Sequence, residues 1–338
     1  MRRICLIPNV TGTGGMVSFR YKLTAGLMAR GIEVVNNLED LPYQAVLIIG
    51  GTRRLAELRK AKRSGMRLVQ RLDGINWIHR KRRTGVRHFL RAEIGNFLQS
   101  SVRKKFADQI IYQSNFAQKW WEDWYGIMPA PASVIFNGVD LQVYNPEGDR
   151  DLSKERFRLL VVEGSLGGGY DLGLENAVAL AETISTSHGL PMELMVVGQV
   201  NYQFQEHWKS KSLVPILWAG SVKRDSIPEI DRSAHLLFSA DLHPACPNSV
   251  IEALACGLPV AAFDTGSLRE LVPVNAGCIS PYGSDPWKVE KPDIPKLAAL
   301  AAQVLMKLPD YRLGARSQAE KVFDLNQMVE EYLNVLLD

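Results

Sequence analysis

The stretch from residue 243 to residue 263, HPACPNSVIEALACGLPVAAF, decides the fold of the second half of the chain. Asn248 or Ser249 suits a helix start, because its side-chain oxygen can accept hydrogen bonds from the free amides of the first turn. Gly257 is typical of a helix end. The apolar run Val260–Phe263 is short enough for a strand that is buried on both faces. The stretch therefore predicts a short helix lying against a parallel sheet.

One carboxylate, Glu252, lies in the middle of this apolar helix. Removing water from a charged carboxylate costs roughly several kcal/mol, so the side chain requires a partner. The partner is either a neighbouring cation or backbone amide, or a ligand hydroxyl held near the helix N-terminus, where free amides and the helix dipole also attract anions. The residues of the helix alone leave both alternatives open.

The composition fits two globular domains without a membrane-spanning helix. The chain has 338 residues, of which 46% are hydrophobic, and it contains no uninterrupted apolar stretch of about 18 residues. The apolar part of the first ten residues is too short for a secretory signal peptide. The four cysteines are scattered, without the paired spacing typical of a zinc site, and are expected to be free thiols. We therefore expect a cytoplasmic protein.

The charge of the chain is divided unevenly between its two halves. Residues 1–140 contain 23 Lys and Arg against 10 Asp and Glu, whereas the remainder contains 17 against 26. This asymmetry supports a division into two domains. It also indicates that the first domain binds something anionic.

Strand and helix patterns alternate along both halves, with turn residues at the strand ends. The strand patterns are ICLIPNV, QAVLIIGG, MRLVQRLDG and QIIYQS in the first half, and RLLVVEGS, MELMVVG, PILWAGS and HLLFSA in the second. The alternation predicts an α/β fold of two Rossmann-like, doubly wound domains facing across a cleft. A polar stretch at residues 145–155 marks the linker. The predicted domains are therefore residues 1–145 and 146–315, followed by a helical segment at 316–338 that packs back on the first domain.

Four motifs carry a resemblance to a known family: GTGGMV, VIFNGVDLQVYNP, ILWAGSVKRDSIPEI and PNSVIEALACGLPVAAFDTGSLRELV. The last is long and compound, and it is therefore the most specific. In the order of these motifs the chain resembles the retaining glycosyltransferases of family 4 (group 1), which have the GT-B fold. The resemblance implies a hexosyltransferase that moves a sugar from a UDP- or GDP-sugar to a saccharide or lipid-linked acceptor, with retention of configuration and without a metal or other cofactor.

The resemblance also implies which residues bind the donor. Glu252 would hold the ribose of the nucleotide, and the amides around Asn248 and Ser249 would face the diphosphate, because a helix N-terminus favours an anion. The glycines after the first strand either approach the ligand or form a tight strand-to-helix turn. The implied donor-binding residues are Gly14, Gly15, Gly164, Ser165, Val222, Asn248, Ser249 and Glu252.

Two departures from the family pattern concern the sugar and the diphosphate. Pro244 stands where the family usually has a second Glu, and the loop at residues 164–169 is glycine-rich where the family usually has an Arg and a Lys. We therefore expect another cation to stabilise the diphosphate, and Arg53 and Arg54, which follow a predicted strand, are the candidates. The alternative function is a donor-binding paralogue with little or no transferase activity.

Two further polar residues are candidates for catalysis. Asp73 ends a predicted strand, where it would contact a sugar or the acceptor, or else cap a helix or form a turn. His243 precedes Pro244 and would contact the donor in place of the missing Glu, or else only cap its loop. Both alternatives stay open for each residue.

A basic amphipathic segment extends from His79 to Lys105 and holds nine Lys or Arg against one Glu. Its apolar residues recur between the charges, which fits either a core stripe beneath a solvated face or a surface that binds an anionic membrane or acceptor. No pattern of a nucleic-acid-binding fold accompanies the segment, so we expect no nucleic-acid partner. The expected location is the cytoplasm, with peripheral contact at the inner face of the membrane.

Overall fold

The structure is a computed structural model that describes residues 2–12, 14–148, 151–166 and 171–337. The chain divides into two compact units, which are described separately. The first unit comprises Met1–Gly138 and Phe323–Asp338, and the second comprises Val139–Val322. Each unit contains one six-stranded parallel sheet with flanking helices. The predicted α/β fold with two parallel sheets is confirmed.

The boundaries of the two units differ from the predicted boundaries at residues 145 and 316. Tyr144 and its neighbours belong to the second unit because Arg316 Nη1 donates hydrogen bonds to the carbonyl oxygens of Tyr144 and Ala255, at 2.9 and 2.8 Å. The polar stretch that follows Tyr144 therefore lies after the boundary. The helix Leu308–Val322 belongs to the second unit along its whole length. Only residues from Phe323 onwards therefore join the first unit.

The sheet of the first unit has the strand order β2-β1-β3-β4-β5-β6, and every pair is parallel. Its strands are β1 (Arg3–Ile7), β2 (Glu33–Val35), β3 (Ala45–Ile49), β4 (Arg67–Leu72), β5 (Gln109–Tyr112) and β6 (Ala132–Val134). Its helices are α1 (Gly15–Ala29), α2 (Leu55–Arg63), α3 (Val86–Lys105), α4 (Asn115–Tyr125) and, at the other end of the chain, α12 (Leu325–Leu337).

The C-terminal helix α12 completes the core of the first unit. Val329, Tyr332 and Leu336 are buried in the same apolar cluster as Phe19 and Leu27 of α1. The rings of Phe19 and Tyr332 lie 5.2 Å apart between centroids. Burying these side chains stabilises the unit by roughly 1.5 to 3 kcal/mol for each large apolar residue.

Helix α1 buries two cations as well as apolar residues. Arg20 donates hydrogen bonds to the carbonyl oxygens of Leu6 and Pro8, at 2.9 and 3.1 Å, and Lys22 donates one to the carbonyl oxygen of Gly138 at 3.1 Å. These bonds compensate the loss of hydration on burial. The two cations therefore hold the backbone of the first unit together.

The sheet of the second unit has the order β12-β11-β10-β7-β8-β9, again with all pairs parallel. Its strands are β7 (Phe157–Ser165), β8 (Met192–Gln199), β9 (Ile216–Gly220), β10 (Leu236–Phe238), β11 (Val260–Phe263) and β12 (Gly277–Ser280). Its helices are α5 (Asp171–His188), α6 (Tyr202–Lys211), α7 (Ile227–Arg232), α8 (Asn248–Ala255), α9 (Leu268–Leu271), α10 (Ile294–Met306) and α11 (Leu308–Val322).

Two edge strands and one surface helix are not anticipated by the sequence patterns. Strand β2 has only three residues, and helix α6 buries none of its residues, so neither shows a long apolar period. Strand β12 begins at Gly277, where an added Cβ would overlap the carbonyl oxygen of Val260 in β11. The close approach of these two backbones requires glycine there. No described helix is long and apolar enough to cross a bilayer.

Candidate functional site

The loops at the carboxyl edge of the second sheet contact one another in two pairs. The Ser267 amide, after β11, donates a hydrogen bond to the carbonyl oxygen of Pro244, in the loop after β10, at 2.9 Å. The Leu166 amide, after β7, donates to the carbonyl oxygen of Gln199, at the end of β8, at 3.0 Å. Ligands of parallel α/β sheets bind at this edge. The four loops therefore form the candidate site of the second unit.

Helix α8 begins without a side-chain cap. Asn248 is its first helical residue, the N-cap position is Pro247, and no side chain accepts a hydrogen bond there. The prediction that Asn248 or Ser249 caps the helix is therefore wrong, because a cap residue must precede the first helical turn. The amides of Asn248 and Ser249 thus belong to an N-terminus of the kind that binds anions.

The predicted end of α8 and the strand that follows are confirmed. Gly257 has φ of 69°, a left-handed conformation that glycine adopts at little cost. Its amide donates to the carbonyl oxygen of Leu254 at 3.0 Å, and the Leu258 amide donates to that of Ala253 at 2.8 Å. Strand β11 is buried at all four positions.

Glu252 is 8% exposed and lies among other acidic groups of the second unit. Burial, followed by the negative charge of Glu252, raises the pKa of the Tyr144 phenol and holds the pKa of Asp231 well above its usual range. Asp231, on α7, is thus harder to ionise than an exposed carboxyl. Burial and the charge of Asp231 likewise raise the pKa of the Cys256 thiol. Glu252 thus has neighbours whose burial disfavours their charged forms.

A second pair of acids, which the sequence patterns do not reveal, lies at the carboxyl edge of the same sheet. Glu163 is in β7, and Asp241 follows β10, the neighbouring strand. Burial, together with the charge of Asp241, raises the pKa of Glu163 to about 8, and burial raises the pKa of Asp241 to about 6. The pair therefore carries about one proton near neutral pH.

His243 is buried and stacked on an indole ring. The ring centroids of His243 and Trp287 are 3.6 Å apart with an interplanar angle of 13°. Its φ of 59° is uncommon for a residue other than glycine. Burial lowers the pKa of His243 to about 4, against the opposing effect of Asp285. The imidazole is therefore neutral at pH 7, and its role in catalysis stays a prediction.

The remaining predicted donor contacts of the second unit lie in two loops. Gly164 is exposed near the end of β7, and a Cβ added there would meet nothing within 4 Å, so its neighbours do not require glycine. Ser165 pairs with Gln199 in the sheet, and half-buried Val222 lies in the turn after β9. The part of the predicted glycine loop at 167–169 lies outside the described residues.

In the first unit, the predicted site residues occupy three strand-to-helix loops. Gly14 and Gly15 form the start of α1, and no side chain caps this helix. Asp73 directly follows β4, and its carbonyl oxygen accepts a hydrogen bond from Trp121 Nε1 at 2.7 Å. Burial raises the pKa of the Asp73 carboxyl against the opposing charge of Arg71.

The two candidate cations for the diphosphate differ in their surroundings. Arg54 forms an ion pair with Glu57, and its Nη1 donates to Asn37 Oδ1 at 3.3 Å. Arg53 is exposed in the loop between β3 and α2. Since Arg54 is already engaged, Arg53 is the better candidate of the two.

Comparisons with known proteins agree with the fold. The sequence profile of the glycosyl transferases group 1 matches residues 164–305. D-inositol 3-phosphate glycosyltransferase from Rhodococcus erythropolis is 28% identical over 177 residues, which cover 48% of this chain and 39% of that protein. The chain thus spans about two fifths of the length of this curated relative.

Solved glycosyltransferase structures share the fold along nearly the whole chain. Sucrose-phosphate synthase from Thermosynechococcus elongatus has a TM-score of 0.76 at 14% identity, covering 99% of this chain and 98% of that one. HepE from Anabaena, solved with UDP-glucose, has a TM-score of 0.69 at 17% identity, covering 99% and 100%. These likenesses show that the chain has the GT-B fold of these glycosyltransferase structures. Within the chain, the segment at residues 164–305 is similar to the glycosyl transferases group 1.

Proposed function

We propose that the chain is a retaining family 4 glycosyltransferase that transfers a hexose from a UDP- or GDP-sugar to a saccharide or lipid-linked acceptor. The observation that carries the proposal is the buried Glu252 on α8, whose uncapped N-terminus lies at the carboxyl edge of a parallel sheet within the matched segment. The similar HepE structure contains UDP-glucose. A nucleoside diphosphate offers both a diol for a carboxylate and an anion for a helix N-terminus.

The nucleotide is assigned to Glu252 and to backbone amides. The Glu252 carboxylate accepts hydrogen bonds from the two ribose hydroxyls, and the amides of Asn248 and Ser249 donate to the diphosphate. Gly164 lets the diphosphate approach the backbone, because no side chain stands in the way. Charge-assisted hydrogen bonds of this kind are roughly twice as strong as neutral ones.

The sugar is assigned to the pair Glu163 and Asp241. Position 244, where the family usually has a carboxylate, is Pro244, and Asp241 stands three residues earlier in the same loop. A pair of acids that shares one proton can both accept from and donate to sugar hydroxyls. We therefore assign to this pair the hydroxyl contacts that Pro244 cannot make.

The chemical step places negative charge on the departing diphosphate while the anomeric carbon becomes oxocarbenium-like. The positioned amides of α8 lower the energy of this charge, since preorganised donors act most strongly where charge develops. Arg53 is proposed to supply the positive charge that the loop after β7 lacks. No step is assigned to a metal ion.

Thermal-shift screening of UDP, GDP, ADP and their sugars tests the donor assignment. A ligand that binds only the folded state at about 100 times its Kd adds roughly 2.7 kcal/mol of stability. We expect UDP or GDP and the matching sugar to raise Tm, and Gly164→Ala to reduce this shift without changing the Tm of the free protein. No shift with any nucleotide would contradict the proposal.

A further inference from the structure

Helix α3 exposes bulky apolar side chains to solvent. Val86 is 76% exposed and Phe97 is 67% exposed. Phe89, Leu90 and Ile94 are also exposed. Successive spacings of four, four and three residues place Val86, Leu90, Ile94 and Phe97 on one side of the helix. Of the two alternatives that the sequence leaves open for this segment, the structure therefore favours an exposed apolar surface over a core stripe.

The buried side of α3 is small and polar instead. Its buried residues are Ala92, Asn96, Ser100, Val102 and Arg103. The amphipathic pattern is thus inverted relative to an ordinary surface helix, which buries its large apolar residues. An exposed apolar face of this size on a folded protein marks an interaction surface.

Specific polar bonds fix the rotation of α3 about its axis. Asn96 Oδ1 accepts a hydrogen bond from the Asn76 amide at 3.1 Å, and Asn96 Nδ2 donates to the Asn76 carbonyl oxygen at 2.8 Å. Glu93 accepts two hydrogen bonds from Arg80 at 2.6 and 2.8 Å, and it contacts His79 Nε2 at 2.7 Å. Rotating the stripe inward would break all of these bonds. The apolar face therefore points outward for an identifiable reason.

Exposed cations flank the stripe. Arg87 and Arg91 lie on the adjacent side of α3, and Lys81 and Arg83 lie in the loop before it. The acid of the helix, Glu93, does not offset them, because Arg80 neutralises it and holds its pKa at about 2. Arg87 and Arg91 also line a shallow cavity of about 560 Å³ beside the start of the helix. The surface combines apolar side chains with a row of positive charge.

We propose that this face of α3 docks on an anionic lipid bilayer. Val86, Leu90, Ile94 and Phe97 enter the acyl boundary, and Arg87 and Arg91 contact the lipid phosphates. Helices that lie in the membrane interface have this arrangement of an apolar face bordered by cations. This assignment goes beyond sugar transfer and stands whether or not the chain is active.

A second copy of the chain is a poorer occupant of the same face. A two-fold contact would place the same surface on both partners, so Arg87 and Arg91 of one copy would face the same cations of the other. Such like charges repel one another. An anionic bilayer complements both the apolar stripe and its cations.

Vesicle sedimentation of the full chain tests the proposal. The probes are neutral phosphatidylcholine vesicles and vesicles with about 30% phosphatidylglycerol, at low and high salt. We expect binding to the anionic vesicles that weakens as salt rises. The double variant Arg87→Gln, Arg91→Gln should bind about 25-fold more weakly at low salt, because each cation near the surface contributes about a fivefold factor.

The apolar contribution is tested by the double variant Leu90→Gln, Phe97→Gln. We expect at least tenfold weaker binding to anionic vesicles. The control is Tyr202→Gln, Leu313→Gln, at two exposed positions of the second unit, which should bind as wild type does. Thermal melting verifies that the variants fold.

Three results would overturn the proposal. One is equal sedimentation with neutral and anionic vesicles, and another is undiminished binding of both α3 variants. The third is self-association without vesicles that is abolished by Leu90→Gln, Phe97→Gln, which would assign the face to a second copy.

Discussion

In the proposed function, Glu252 is the residue on which donor recognition depends most. Its side chain is buried on the helix whose N-terminus lies at the carboxyl edge of the sheet, and the proposal gives it the ribose hydroxyls. A hydrogen bond to a charged group is worth about 1.5 to 3 kcal/mol. We expect Glu252→Ala to weaken donor binding at least tenfold in calorimetry while the protein stays folded. Glu252→Gln, which keeps the shape, is the matched control and should show an intermediate loss. Unchanged nucleotide affinity would contradict the ribose assignment.

The pair Glu163 and Asp241 makes stability depend on pH. Burial and the charge of Asp241 raise the pKa of Glu163 to about 8, whereas its usual value is 4.5. Between these values the folded state binds more protons than the unfolded state, so the free energy of unfolding falls as pH rises towards about 8. Below about pH 4 Glu163 is protonated in both states, so its ionisation no longer lowers the free energy of unfolding.

Glu163→Gln removes this titration. We expect the free energy of unfolding of the variant, relative to wild type, to be at least about 1 kcal/mol higher at pH 9 than at pH 5. This change corresponds to a shift of roughly 2 to 4 °C in the Tm difference between the two proteins. Differential scanning calorimetry at the two pH values measures it. A Tm difference that is the same at both values would contradict the pKa assignment.

At the scale of elements, helix packing explains one glycine of the first unit. A Cβ added at Gly26 of α1 would overlap the side chain of Val329 on α12. The branched Val329 side chain has little freedom to move away. We expect Gly26→Ala to destabilise the protein by about 1 to 3 kcal/mol, although Ala is the better helix former.

Chemical denaturation of the double variant checks the cause. Adding Val329→Ala removes the overlap, so the double variant should be more stable than the sum of the two single effects predicts. Additive losses would show that the contact between α1 and α12 is not responsible. Val335→Ala, on the same helix but partly buried, serves as a control.

The sequence predicts best those helices and strands that are marked by their own residues, without reference to residues far away in the chain. Helix α8, the glycine that ends it and strand β11 are predictable because glycine and apolar-run signals are local, whereas the predicted side-chain cap of α8 is wrong. The sequence leaves the direction of the apolar stripe of α3 open, because periodicity identifies a face without saying where it points. Asn76 and Glu93 set that direction through bonds that no periodic pattern contains. The pairing of Glu163 with Asp241 depends on strand order, which brings together residues far apart in sequence.

At the scale of the whole molecule, charge is divided between the two units. Arg53 of the first unit is the cation proposed to stabilise the diphosphate. Arg53 is exposed, whereas Arg54 is paired with Glu57. We expect Arg53→Ala to lower kcat more than tenfold with little change in donor Kd, the signature of an interaction formed mainly in the transition state. Arg59→Ala, on α2, is the control. An equal loss of turnover in both variants would remove the special role of Arg53.

The most direct test of the central claim is release of nucleoside diphosphate from UDP- and GDP-sugars by the full chain, with acceptors presented in anionic vesicles. We expect that one donor class is consumed and that Glu252→Ala slows consumption at donor concentrations that just saturate wild type. We also expect nuclear magnetic resonance of the product to show the anomeric configuration of the donor. Saturating donor binding without turnover on any acceptor would contradict the account and indicate a donor-binding protein. A product of inverted configuration would contradict the retaining mechanism.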